Sequence, residues 1–214
     1  LKFTLPGPMT IVDTIADEHY GDRATLAMEF ARLLNDEARE LEALGVDVIQ
    51  FDEPAYNVYM DAVSGWGIES LERTIEGLSC TTAIHICYGY GIQANIDWKG
   101  ALGDEWRQYE ATFPVLADSN IDQVSLECIN SHVPMSLIGL LPGKDILVGA
   151  IDVATNEIET PGQVAAVIRE ALHFAPAERI FPSTNCGMVP LSRDVTYAKL
   201  RALSGGAEIM RGEV

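Results

Sequence analysis

Positive charge is scarce in this 214-residue chain: 14 Lys and Arg stand against 32 Asp and Glu, a formal net charge of −18. A surface with that balance repels phosphate backbones and anionic headgroups, so neither a nucleic acid nor a membrane is an expected partner. No apolar run approaches the ~18 residues that a membrane span requires. The opening Leu1–Pro6 lacks the apolar stretch of a secretory signal. Cysteine is sparse as well. Cys80, Cys87, Cys128 and Cys186 are too few for a disulfide scaffold in a chain long enough to bury its own core. Without an export signal the expected compartment is the reducing cytoplasm, where these thiols stay free. Two common active-site motifs are missing: no Gly-x-Gly-x-x-Gly follows a strand candidate, and no Gly-x-Ser-x-Gly is present.

What the chain does contain is alternation. Short β-branched runs at Lys2–Leu5, Val46–Phe51, Thr81–Cys87, Gln123–Glu127, Ile146–Ile151 and Arg179–Ser183 read as strands. Between them lie amphipathic stretches. In Asp22–Leu44, residues Leu26, Phe30, Leu33, Leu34, Ala38, Leu41 and Leu44 recur at three- and four-residue steps. Further helices are expected at Ile68–Leu78, at Asp104–Thr112 closed by Pro114, at Gln163–Phe174 opened by Pro161, and after Ser192, with a shorter one at Ser131–Leu141. No linker or low-complexity tract interrupts the pattern, so residues 1–214 read as a single domain. Six strands alternating with about six helices predict a parallel β/α architecture, either an open doubly wound sheet or a (β/α) barrel. Both place chemistry just beyond the C-terminal ends of the strands.

The polar residues meet that expectation. The strand ends carry Asp52-Glu53-Pro54, His85-Ile86-Cys87, Glu127-Cys128, Asp152 and Asn185-Cys186-Gly187. His85 and Cys87, two apart on a strand, point to one side. With Glu127 and Cys186 they make two thiolates, an imidazole and a carboxylate, a set suited to tetrahedral zinc. Cysteine also fills core space, the reading adopted for Cys128 and Cys80. Of the adjacent Asp52 and Glu53 at most one can face the site, and Asp52 is the candidate for receiving an ammonium or an acidic hydrogen. His19 and His173 read as surface residues, and His132 as an outlying neighbour of the site.

Leu5-Pro6-Gly7-Pro8-Met9-Thr10, Ile49-Gln50-Phe51-Asp52-Glu53-Pro54-Ala55, His85-Ile86-Cys87-Tyr88, Val124-Ser125-Leu126-Glu127, Pro176-Ala177-Glu178-Arg179 and Asn185-Cys186-Gly187 occur in that order. They resemble the C-terminal catalytic barrel of cobalamin-independent methionine synthase, closest to its short core type. The resemblance implies a (β/α)8 TIM barrel that lacks its first two β/α units in this chain, since only six units are counted here. It implies a catalytic Zn2+ held by His85, Cys87, Glu127 and Cys186, with Asp52 binding the amino group of homocysteine. The implied reaction is zinc-dependent S-methyl transfer to the homocysteine thiol, giving methionine. Two thiolates and a carboxylate outweigh the dication, so a bound thiolate keeps its electron density, which favours alkyl transfer to sulfur over hydrolysis. Three departures bear on the methyl donor. Thr14 stands where the folate-using members have a pterin-stacking Trp, and Ala154 stands where they have a catalytic His. The interval between Cys87 and Glu127 is longer and contains Trp98, Trp106 and Tyr109. The donor, folate or corrinoid, stays open. So do two alternatives: a related zinc barrel alkylating another thiol such as coenzyme M, and a non-catalytic zinc- or thiol-binding module.

Overall fold

Strand order separates the two architectures left open by the sequence. The computed structural model describes residues 1–90 and 93–214. Its strands are β1 (Lys2–Pro6), β2 (Val48–Asp52), β3 (Thr81–His85), β4 (Gln123–Glu127), β5 (Asp145–Gly149) and β6 (Ile180–Ser183). They form one parallel sheet in the order β1-β2-β3-β4-β5-β6. Successive strands are neighbours throughout, which is the order of a barrel wall; a doubly wound sheet reverses at a switch point. The helices are α1 (Pro8–Thr14), α2 (Arg23–Ala43), α3 (Met60–Ala62), α4 (Ile68–Ile75), α5 (Gln93–Gly100), α6 (Tyr109–Ala117), α7 (Pro161–Ala171) and α8 (Arg193–Arg211). Among the described residues no helix is long and apolar enough to cross a membrane. The chain divides into two compact units, residues 1–86 with 108–124, and residues 87–107 with 125–214.

In the first unit, β1, β2 and β3 pair in parallel with Pro6 beside Asp52 and Asp52 beside His85. Alternation sorts β2 cleanly: Ile49 and Phe51 are fully buried, while Val48, Gln50 and Asp52 on the opposite face are half-buried. The polar residues that interrupt this strand in the sequence are therefore its site-facing side. Helix α2 is opened by Asp22, whose carboxylate accepts the Thr25 N–H at 2.9 Å. Its buried stripe is Leu26, Ala27, Ala31, Leu34 and Ala38. Leu33 and Leu44 from the expected stripe face solvent instead, because Leu33 falls off the stripe and Leu44 lies past the last turn. Helix α6 corrects a boundary. The sequence pattern predicts a helix at Asp104–Thr112 ended by Pro114, but the helix begins at Tyr109 and passes through Pro114. Tyr109, Thr112, Phe113 and Leu116 are all buried along it, and that packing outweighs the roughly 3 kcal/mol cost of an internal proline.

In the second unit, α7 begins with a capping box in which Thr160 and Gln163 satisfy each other's backbone amides, and Pro161 takes the first turn. Helix α8 is capped by Ser192. The two helices pack closely because Gly206 of α8 has no side chain: a Cβ there would lie 2.4 Å from Val164 Cγ1. Ala150, Ile151, Val164, Ala165, Ile168, Ala202 and Met210 form the core that joins them to the end of β5. The expected helix at Ser131–Leu141 is a 3-10 turn at Met135–Leu140.

Candidate metal centre

The end of β2 presents two carboxylates with opposite fates. Asp52 stays on the site-facing side, beside His85 in the β2–β3 register, and accepts a hydrogen bond from Gln50 Nε2 at 2.8 Å. Glu53 turns away into full burial, where its carboxylate accepts the Met9 N–H at 2.9 Å, the Thr10 N–H at 2.8 Å and the Thr10 hydroxyl at 2.6 Å. Gly7 makes the space: a Cβ at that position would stand 2.2 Å from Glu53 Cδ. The Leu5–Thr10 and Asp52–Pro54 motifs are thus two halves of one device that fastens α1 to the end of β2. Burial pushes the Glu53 carboxyl up to about 7, against the opposing pull of its three hydrogen bonds.

Strand β3 stops at His85, so Cys87 lies just beyond the strand rather than within it. Cys87 Sγ and Cys186 Sγ are 3.4 Å apart, both as thiols rather than as a disulfide. Ligand atoms of His85, Cys87 and Cys186 all lie within 4.8 Å of one another. Donors bound at ~2.0–2.3 Å to one zinc ion stand up to ~4.6 Å apart, so this set needs little movement to share an ion. The Cys87 thiol is pushed well above its ordinary range, first by its hydrogen bond with Cys186 and then by burial. A cation in their midst reverses that penalty, since coordination deprotonates thiols.

Cys186 is placed by its neighbour. Asn185, 1% exposed, accepts the Cys128 N–H on Oδ1 at 3.2 Å and donates from Nδ2 to the Ile129 carbonyl at 2.8 Å. Its own N–H donates to the Ile151 carbonyl at 2.9 Å. This side chain lies over Gly149, where a Cβ would come within 2.3 Å of Asn185 Oδ1. In the sequence Asn185 stands out only as the neighbour of Cys186, and Gly149 does not stand out at all. The available signal was a glycine closing a β-branched strand opposite an Asn-Cys-Gly turn.

Glu127 ends β4 fully buried. Its Oε1 accepts the Tyr88 N–H and its Oε2 the Tyr90 hydroxyl, each at 2.8 Å. Burial raises the Glu127 carboxyl above its usual range, and burial with the Glu127 charge raises the Tyr90 phenol far above its own. Asp152 is tied into its loop, accepting the Ala154 N–H at 2.8 Å and Asn130 Nδ2 at 3.2 Å. His132 is exposed and turns towards the 88–107 segment, with its ring 5.1 Å from that of Trp106 and its Nδ1 2.9 Å from the Asp104 carbonyl. His19 and His173 are exposed, as expected for surface residues, and so is Thr14. Cys80 and Cys128 are half-buried rather than core.

Comparison with known proteins bears on the whole of this arrangement. Residues 1–208 match the family model described as the catalytic domain of cobalamin-independent synthase. A methionine synthase of Saccharolobus islandicus strain Y.G.57.14 is 31% identical over 216 residues, covering 100% of this chain and 59% of the relative. One from Sulfurisphaera tokodaii is also 31% identical, with 58% of its length covered. The chain therefore spans about three-fifths of the curated relatives it matches. A B12-independent methionine synthase from Shewanella sp. W3-18-1, solved in complex with selenomethionine, superposes with a TM-score of 0.97 at 64% identity, covering 99% of this chain and 62% of that one. A putative B12-independent methionine synthase from Listeria monocytogenes, 19% identical with a TM-score of 0.68, shares the fold. With a family model matched from end to end of the sheet, the chain belongs to the cobalamin-independent synthase catalytic-domain family.

Proposed function

We propose that this chain supplies the thiol-activating part of a methionine synthase, transferring a methyl group to the sulfur of homocysteine. The observation that carries the reading is the His85–Cys87–Cys186 donor group at the strand ends. Glu127 is proposed as a fourth, more loosely engaged ligand. A zinc ion bound there supplies the charge that lets the substrate thiol lose its proton, while its anionic ligands leave the sulfur nucleophilic. Asp52, held by Gln50 and beside His85, receives the substrate ammonium and fixes the amino acid with its sulfur towards the donors. In the transfer the sulfur–carbon bond forms as the bond from the methyl to its carrier breaks, and the thiol proton leaves to solvent. The selenomethionine in the Shewanella relative is the selenium analogue of the proposed product, which supports an amino-acid thioether as ligand.

The methyl carrier is folate or corrinoid. Exposed Thr14 offers no aromatic face to a pterin, which favours the non-folate carrier. Residues 1–214 are proposed to act as one catalytic body, in the reducing cytoplasm where the thiols stay available. The test is metal analysis together with homocysteine methylation by the full-length protein that contains this chain, offered methylcobalamin and methyltetrahydrofolate in parallel. The expected result is about one zinc per chain and methionine formation, both lost in Cys186→Ser. A Cys186→Ser protein with undiminished zinc affinity overturns the reading.

A further inference from the structure

Cys186 lies in an irregular turn beyond β6, so its position depends on what grips that turn. The grip falls on Asn185 and comes from two loops. In the loop after β4 the Ile129 carbonyl accepts Asn185 Nδ2 at 2.8 Å, and in the loop after β5 the Ile151 carbonyl accepts the Asn185 N–H at 2.9 Å. The next residue in each loop ties the two together: Asn130 Nδ2 donates to Asp152 Oδ2 at 3.2 Å. Asn130 has φ +49°, the one positive value outside glycine among the described residues. Asparagine tolerates that left-handed conformation better than most side chains do, so the backbone and the amide call for the same residue. Asp152, 8% exposed, is fixed in its turn. Its Oδ1 accepts the Ala154 N–H at 2.8 Å, and its own N–H donates at 2.9 Å to Glu159 Oε1, which pairs with the buried Lys199 ammonium at 3.0 Å.

We propose that Asn130 and Asp152 are positioning residues of the metal centre: their hydrogen bond closes a clasp around Asn185 and so sets Cys186 against Cys87. This inference rests on the functional reading above. Without a metal the two sulfurs share a hydrogen bond at 3.4 Å. As ligands both are thiolates and repel each other, and the clasp holds Cys186 in place against that repulsion. A donor already held loses little freedom when the ion binds, so affinity is higher than a loose turn would give. The Lys199–Glu159 pair acts one step further back, through the Asp152 N–H. A buried ion pair is by itself a weak source of stability; its link to Asp152 gives it this second role.

The test uses the full-length protein that contains this chain, loaded with cobalt(II) in place of zinc. The parent is compared with Asn130→Gly, Asn130→Asp, and the double variant Asn130→Asp with Asp152→Asn. Chelator competition gives the affinity, the visible spectrum reports sulfur-to-cobalt charge transfer, and melting of the metal-free proteins reports the fold. Asn130→Gly keeps the left-handed turn, which glycine adopts freely, and removes only the amide. Its affinity is expected to fall roughly 10-fold, with a melting midpoint close to that of the parent. Asn130→Asp sets a second carboxylate against Asp152 and is expected to lose more, up to roughly 100-fold. In the double variant amide and carboxylate trade places, so the bond forms again in the reverse direction and the Ala154 N–H still finds a carbonyl oxygen. Affinity and charge transfer are expected to recover most of what Asn130→Asp loses. Parent affinity in Asn130→Gly, or a double variant that binds no tighter than Asn130→Asp alone, overturns the assignment while leaving the functional reading in place. A parent without sulfur-to-cobalt charge transfer removes the functional reading and this inference together.

Discussion

Lys199→Met deletes a charge from the interior of α8. Lys199 is 0% exposed, and its ammonium donates to both Glu159 oxygens at 3.0 Å and to the Glu157 carbonyl. Its partner is nearly as deep, with the Glu159 side chain 7% exposed. Methionine matches the stem in shape, so little cavity is created, but Glu159 is left as a buried carboxylate without its counter-ion. Removing one member of such a pair costs about 3–5 kcal/mol. For a chain of this length that corresponds to a fall in Tm of roughly 6–20 °C. The double variant Lys199→Met with Glu159→Leu removes both charges and is expected to recover much of the loss. It does not recover all of it, because Glu159 Oε1 also accepts the Asp152 N–H at 2.9 Å. That stranded amide leaves the double variant ~1–3 kcal/mol below the parent. Urea unfolding of the four proteins in the cycle measures each term. A single variant costing less than ~1 kcal/mol, or a double variant no better than the single, would refute the account of the pair.

Gly149→Ala forces a Cβ to within 2.3 Å of Asn185 Oδ1 and 2.8 Å of the Leu126 carbonyl; the expected cost is ~1–3 kcal/mol of stability, with weaker zinc binding because Asn185 places Cys186, as chelator competition should show. Glu53 binds its proton more tightly folded than unfolded, so its contribution is fully present below its ordinary value of 4.5 and is lost as pH rises through about 7. Unfolding free energies measured from pH 4 to pH 8 should therefore carry a slope worth ~3 kcal/mol across that window, and Glu53→Gln should remove it; an unchanged slope in the variant would show that the acid does not titrate there.

The parts of this molecule that could be read beforehand are those written in neighbouring residues. Asp22, Pro161 and Ser192 mark helix starts within a residue or two because a cap acts on amides of the next turn. Strand β4 falls at Gln123–Glu127 as expected because its β-branched run is bounded on both sides. The donors His85, Cys87 and Cys186 were legible because parallel β/α folds place their chemistry at strand ends, and the structure brings those three together. Glu127 was named with them, and its carboxylate accepts hydrogen bonds from Tyr88 and Tyr90. Neither bond could be anticipated from spacing, since each joins residues 37 or 39 positions apart in the sequence.

Local order along the chain, then, determined the alternation of strands and helices, the caps, and the end of the sheet at which the metal-capable side chains collect. Such signals are periodic or short-range and survive without knowledge of the partner. Tertiary structure alone decided that α6 runs through Pro114, that Glu53 anchors α1 while Asp52 stays at the site, and that Asn185 lies over Gly149 beside Cys186. It also decided that Lys199, a residue any sequence reading places in water, lies wholly buried against Glu159. Each of these rests on a contact between segments far apart in sequence. Its energy depends on a distance and a burial that exist only once the chain has closed around it.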